Sequence, residues 1–235
     1  MIRNHDSRLL SSVPCGAEVA TFRFERPEGY EYRAGQWLRL TLNTANGPET
    51  KTFTHSSAPA DPHLEITTRL SGSPFKQALA ALAEGDAVEI SGPGGRLSLP
   101  EGASRLAFLV GGVGVTPARS LLRDCGQQGR RFDDALVIFG NRDQRCAPFL
   151  EELTALDDIG VRVVPVYETA GSDWVGERGF VTAEMVRRHV DPSDGRPFVV
   201  AGPPVMVGAM EAVLDELGID HKRRIIERFG AAGGS

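Results

Sequence analysis

Residues 106–122 read LAFLVGGVGVTPARSLL. Leu106–Val110 is a continuous apolar run of the kind that forms a strand buried on both faces. Glycines at 111, 112 and 114 follow it, and Thr116 and Pro117 then offer an N-cap and a first helical position for a helix over about 117–126. A strand that runs through a glycine turn into a helix lets a pyrophosphate approach the backbone with no Cβ in the way. It also presents unpaired N–H groups and the positive end of the helix dipole to that anion. A tight strand-to-helix loop in any α/β domain has the same local pattern, so the surrounding chain has to separate the two readings.

Downstream, apolar runs at 135–139, 161–167, 197–201 and 223–228 alternate with helical segments at about 148–156, 182–190 and 204–217. With 106–110 this spacing predicts a five-stranded parallel sheet with helices on both faces. In such sheets ligands bind beyond the carboxyl ends of the strands, near the point where the strand order reverses. The 106–110 strand ends at the glycine turn and the 197–201 strand at Gly202-Pro203-Pro204, so both turns are expected on the same side. Strand 135–139 ends in Gly140-Asn141-Arg142-Asp143-Gln144-Arg145.

Upstream, residues 17–99 have a different rhythm. Ala17–Arg26 and Gln36–Leu42 alternate, and Thr50–Ser56, Leu64–Leu70 and Ala87–Ser91 are further strand candidates separated by turn residues. Closely spaced strands of this kind suggest an antiparallel barrel or sandwich. One helix interrupts them, with Ser73 as N-cap, Pro74 at its first position and Gly85 placed to end it. A domain boundary is expected near Pro100–Ser104, and the terminal AAGGS is expected to be disordered.

Composition sets the outer limits. A 235-residue chain with 41% hydrophobic and 24% charged residues can hold two modest cores. A net charge of −5 with no basic cluster argues against a nucleic-acid surface. No apolar run reaches membrane-spanning length and the amino terminus lacks a secretory pattern, so no membrane insertion and a cytoplasmic location are expected. Cys15, Cys125 and Cys146 form no C-x-x-C pair, which excludes a local iron–sulfur or zinc cassette. His5, His63, His189 and His221 show no metal-ligand spacing.

Five elements in order resemble the ferredoxin–NADP reductase family. Lys51-Thr52-Phe53-Thr54-His55-Ser56-Ser57 is similar to its Arg-x-Tyr-Ser-x-x-Ser flavin motif, and Ala34-Gly35-Gln36-Trp37 to the Pro-Gly-Gln-Phe turn before it. Gly111-Gly112-Val113-Gly114-Val115-Thr116-Pro117 matches its Gly-Gly-x-Gly-x-Thr-Pro nucleotide loop. Ala201-Gly202-Pro203-Pro204-Val205-Met206 resembles its Cys-Gly-Pro-Pro-x-Met element, and Glu227-Arg228-Phe229 its terminal Glu-x-Phe.

The resemblance implies a six-stranded antiparallel FAD-binding barrel over 1–101 and a five-stranded NAD(P)-binding α/β domain over 102–235. FAD is favoured over FMN because Thr68, Arg69 and the turn Ser71-Gly72-Ser73 correspond to a second flavin element suited to a diphosphate. Lys51 would supply charge to that diphosphate, without the bidentate fork of the family's Arg. Phe53 would pack against the flavin and Thr54 would offer a hydroxyl to its N5. His55 is either a group near the ring or a structural histidine. Gly111, Gly112, Val113, Gly114, Thr116 and Pro117 would hold the nucleotide pyrophosphate, and Gly202, Pro203, Pro204 and Met206 the nicotinamide side. Asn141 and Arg142 fall where adenosine-ribose readers sit. With Asp143 and Arg145 beside them, both NADH and NADPH remain open. Glu227 and Phe229 would lie at the flavin, with Thr54 and Glu227 as the polar groups beside the hydride path.

The implied activity is transfer of hydride from NAD(P)H to FAD and then of electrons to a separate acceptor. That acceptor would be a small redox protein such as ferredoxin or flavodoxin, or an oxygenase component. Free flavin, a ferric chelate or a quinone are other acceptors. An electron-transfer subunit active only within a complex and a flavin-free regulatory module are the alternatives.

Overall fold

Two sheets follow one another along the chain, the first antiparallel and the second parallel. In the computed structural model, which describes residues 3–16 and 18–230, the first contains β1 (Arg3–Pro14), β2 (Val19–Glu25), β3 (Trp37–Thr44), β4 (Gly47–Thr54), β5 (His63–Arg69) and β6 (Ala87–Gly94). Their order is β4-β3-β6-β1-β2-β5. The end strands β4 and β5 touch without pairing, so the barrel stays open along that seam. Alternate side chains of a pleated strand share a face. Leu38, Leu40 and Leu42 of β3 therefore turn inward together, onto Phe22, Phe24, Leu64, Ile66 and Ile90. Each such burial contributes roughly 1.5–3 kcal/mol.

The sixth strand is β1, which the sequence pattern did not locate; of its twelve residues only Ser7 and Leu9 are buried. The expected strand start Ala17 and the tail AAGGS lie outside the described residues. Helix α1 (Pro74–Ala81) begins as expected, with Ser73 Oγ accepting the Lys76 N–H at 3.4 Å. It ends before Gly85, because Leu82 already has extended backbone angles. Gly85, at φ +90°, instead turns the chain toward β6.

The second sheet contains β7 (Arg105–Gly111), β8 (Asp134–Asn141), β9 (Val161–Tyr167), β10 (Glu177–Arg178), β11 (Phe198–Gly202) and β12 (Arg224–Arg228). All are parallel, in the order β10-β9-β8-β7-β11-β12. The sheet thus has six strands where five were expected. The extra one, β10, is two residues long and gives no periodic signal. It is held by the Trp174 indole N–H, which donates to the Glu177 carbonyl at 3.0 Å, and by Arg178, which donates to the carbonyls of Ala170 and Gly171.

Helices α2 (Thr116–Gln127) and α3 (Leu150–Thr154) cover one face, packing on Phe108, Val110, Val137 and Phe139. Helices α4 (Ala183–His189) and α5 (Pro204–Glu216) cover the other, on Leu109, Leu136, Ile138 and Val200. Among the described residues no helix is long and apolar enough to cross a membrane.

Candidate active site

The strand order reverses between β7 and β11, whose register pairs Val110 with Ala201. Both strands end in glycine turns, so the two turns meet. A Cβ on Gly114 would collide with the Ala201 carbonyl oxygen, and one on Gly202 would lie 2.6 Å from Met206 Sδ. Glycine is required at 114 because backbone fills the space where a side chain would stand, and at 202 because the backbone there has φ +156°, with Met206 beside it. The first turn also corrects an expectation. Thr116 is not the N-cap, because Gly112–Val115 form a 3-10 turn that precedes α2 directly. Thr116 is already helical, and its hydroxyl donates back to the Val113 carbonyl at 3.0 Å. The N–H groups left free by the helix start therefore belong to the glycine segment. The Phe229 N–H donates to the Gly202 carbonyl at 2.9 Å, which brings the end of β12 to the same place. Glu227 faces Ala201 in the adjoining register, and burial pushes its carboxyl above the usual range.

The flavin-like motif divides into two parts. Lys51 and Thr52 are exposed, Phe53 is half-buried and Thr54 is buried at the end of β4. His55, Ser56 and Ser57 turn into the interior. His55 is fully buried, stacked on Tyr32 at 3.9 Å, with Nε2 at 3.2 Å from the Tyr30 hydroxyl. Burial lowers its pKa to about 3, so the ring is neutral, as expected for a structural histidine. Ser56 Oγ donates to Glu65 Oε1 at 2.9 Å, and Ser57 Oγ lies 2.8 Å from the Tyr32 hydroxyl. These side chains hold the strand in place and are not open to a ligand.

Lys76, which sequence reasoning missed, lies between the buried Thr68 and the half-buried Phe53. Its Nζ is 2.5 Å from Thr68 Oγ1 and 4.4 Å above the Phe53 ring. Burial, with a smaller contribution from Lys51, lowers its pKa to about 8. Among the described residues it has no carboxylate within 4.0 Å, whereas Lys51 Nζ is 3.8 Å from Glu49. A largely buried cation without a counter-ion is what a diphosphate neutralises. Arg69 and the turn Ser71-Gly72-Ser73 are exposed beside it, and nothing lies within 4 Å of an ideal Cβ on Gly72. The donor set fits a flavin diphosphate, with Phe53 offering an apolar face next to it. The sequence signal for Lys76 was a basic residue in the first turn of a Ser-Pro-capped helix, where acidic residues are the usual choice.

At the end of β8, Asn141 is buried and its Nδ2–H donates to the Phe139 carbonyl at 3.3 Å. Arg142 is exposed. Asp143 is occupied, accepting the Arg145 N–H at 2.9 Å and pairing with Arg145 at 3.3 Å and Arg142 at 3.6 Å.

An open antiparallel barrel beside a doubly covered parallel sheet, with glycine turns paired at the strand-order reversal, defines a class of two-domain dinucleotide-dependent oxidoreductases. The family model described as an oxidoreductase NAD-binding domain matches residues 108–212. The chain is 30% identical over 237 residues to ferredoxin–NADP reductase B of Sorangium cellulosum (strain So ce56), covering 95% of this chain and 97% of that protein. It is 31% identical over 253 residues to NADH-cytochrome b5 reductase 1 of Rattus norvegicus, covering 92% and 83% of the two. In fold it is similar to a ferredoxin NADP+ reductase from Neisseria gonorrhoeae solved with bound FAD and NADP. There the TM-score is 0.83 at 23% identity, covering 96% of this chain and 98% of the other. The chain belongs to the ferredoxin–NADP reductase family of NAD(P)H-dependent oxidoreductases.

Proposed function

We propose that this chain passes hydride from NAD(P)H to FAD and delivers the electrons to a separate acceptor. Residues 1–101 form the flavin domain in this reading and residues 102–235 the nicotinamide nucleotide domain. The observation that carries it is the seating of the 3-10 turn Gly112–Val115 against β5, the strand that bears Thr68 and Arg69. The nucleotide turn thereby packs on the strand that carries two of the flavin residues. When bound, FAD supplies a group that takes two electrons together as hydride and gives them up singly or in pairs.

The protein's own residues bind and orient. Lys76, Lys51 and Arg69 hold the diphosphate with the amides of Gly72 and Ser73, and Phe53 supplies a packing surface. Thr54 provides a hydroxyl at the end of β4. The amides of Gly111, Gly112, Val113 and Gly114 take the nucleotide pyrophosphate, and Asn141 and Arg142 take the adenosine side. Gly202, Pro203, Pro204 and Met206 shape the nicotinamide side. Glu227, its carboxyl pushed above the usual range by burial, is the polar group on that side, while Phe229 shields the flavin from water. The acceptor is a small redox protein such as ferredoxin or flavodoxin, or an oxygenase component.

The visible spectrum of the purified protein tests the reading. A yellow protein that bleaches on anaerobic addition of NADH or NADPH is expected, and the nucleotide that bleaches it faster is the physiological donor. A colourless protein that takes up no FAD overturns the proposal.

A further inference from the structure

We propose that Arg119 is a positioning residue for hydride transfer, clamping the tail of the flavin-motif strand to the helix that carries the nucleotide turn. The inference rests on the functional reading above and assigns a role to a side chain outside its motifs.

Arg119 is 5% exposed and lies one helical turn beyond Thr116. Its Nη1 donates to the Ser56 carbonyl at 2.5 Å and to Glu65 Oε1 at 2.6 Å, and its Nε donates to Glu152 Oε2 at 2.9 Å. The next residue repeats the grip, Ser120 Oγ donating to the Ser57 carbonyl at 2.6 Å. Consecutive residues of α2 thus hold consecutive carbonyls of the segment that follows Thr54. Glu65 closes the arrangement from below. It is 1% exposed and accepts from Ser56 Oγ at 2.9 Å and from Arg23 Nε at 2.9 Å. Burial alone would raise the Glu65 carboxyl. The Arg119 charge, with hydrogen bonds from Arg23, Ser56 and Arg119, holds it below the usual range. Ser56 is therefore fixed at both its carbonyl and its hydroxyl.

One turn of helix separates this clamp from the nucleotide turn, and only His55 stands between Ser56 and Thr54. A helix turn is stiff, so a shift at Ser56 relative to Arg119 becomes a shift of the flavin strand relative to the nicotinamide turn. Rates of group transfer respond steeply to such shifts, with about 1 Å costing about 100-fold.

The same helix also carries a contact with the look of simple adhesion. Arg123, one turn further along α2, pairs with Asp61 through two bonds of 2.6 and 3.0 Å and with Glu152 at 3.1 Å, and makes no bond to the Ser56 or Ser57 carbonyl or to Glu65. It serves as the internal control.

The test compares Arg119→Lys with Arg123→Met in the FAD-loaded protein. Lysine keeps the charge and loses the planar guanidinium whose Nη1 holds Ser56 and Glu65 while its Nε holds Glu152. At saturating NAD(P)H, the stopped-flow rate of flavin bleaching in R119K is expected to fall about 30-fold, with a full primary isotope effect from deuterium at nicotinamide C4. The dissociation constants of FAD and NAD(P)H stay within about threefold. In the apoprotein, hydrogen exchange at the amides of residues 55–58 accelerates. R123M lowers the melting temperature and leaves the bleaching rate within about twofold. If R119K does not fold, Ser120→Ala carries the test, with an expected slowing of about fivefold and unchanged affinities. An R119K rate within about threefold of wild type, an equal slowing in R123M, or, where R119K does not fold, an unchanged rate in S120A overturns the assignment. Wild-type protein that binds no FAD fails at the first step and overturns the functional reading instead.

Discussion

The start of α1 is built from side chains and the start of α2 from backbone. At α1 a serine caps the helix, Lys76 stands in its first turn between Thr68 and Phe53, and the glycine before the cap has open space around it. At α2 no side chain caps the 3-10 turn and no charged residue occupies the first turn of the helix. There Gly114 is pressed against the Ala201 carbonyl. The difference suits the two ligands of the proposed reaction. A resident cofactor gains from fixed charge, which lowers its dissociation rate. A nucleotide that must leave after each turnover is better held by amide dipoles, which orient it without binding it too tightly.

Gly114→Ala tests the backbone side and carries the largest expected effect. Its Cβ meets a fixed carbonyl, so the turn must move. Flavin reduction by NAD(P)H is expected to slow by about 100-fold or more in stopped flow, with FAD uptake unchanged. A fully active G114A would show that the close approach is dispensable. Lys76→Met tests the other side. Loss of a charged contact is worth about 1.5–3 kcal/mol, so FAD affinity measured by fluorescence quenching should fall about 10- to 100-fold. Lys51→Met should cost less, because Lys51 is exposed and already lies near Glu49.

Proton binding sharpens the contrast. Lys51 on β4 is the charged group facing Lys76, with Thr68 on β5 and the Phe53 and Phe75 rings completing its surroundings. The folded apoprotein gives up the Lys76 proton at about pH 8, below the ordinary lysine value of 10.5. Between those values the unfolded chain binds more protons, so the contribution of this group to apoprotein stability rises with pH. FAD affinity should move the opposite way over the same interval, because the anion requires the charged form. A melting series and a binding series from about pH 7 to 10 read the two signs, and Lys76→Arg should flatten both. The smallest effect is expected for Gly72→Ala, which meets no atom within 4 Å. FAD affinity should change by less than about threefold there, which marks this glycine as a different kind from Gly114.

The parallel sheet was legible because its strands are short apolar runs bounded by glycine, proline and helical spacing. The nucleotide turns were legible as motifs, and the structure brings the 110s, the 200s and Phe229 together. What escaped was of two kinds. Strand β1 and the two-residue β10 bury too little to produce a pattern, and the 3-10 turn that displaced Thr116 from the cap arises from contact with the Ala201 strand. Lys76 and Arg119 escaped because their meaning lies in tertiary partners. Arg119 reaches Ser56 and Glu65, which are 63 and 54 residues away in sequence. Within the flavin-like motif, the pattern gave residue types but not direction, and His55, Ser56 and Ser57 point inward.

The Arg119–Glu65 pair joins β5 of the first sheet to helix α2 of the second unit and is buried on both sides. Cutting the chain between Gly94 and Arg105 would therefore do more than separate two modules. It would take the Arg119 guanidinium from the Glu65 carboxylate, leaving Glu65 with Arg23 and Arg119 with Glu152 as their remaining ion-pair partners, on faces newly opened to water. The intact protein should consequently unfold in a single calorimetric transition, and neither half should be exchangeable with that of a distant relative unless the matching partner travels with it.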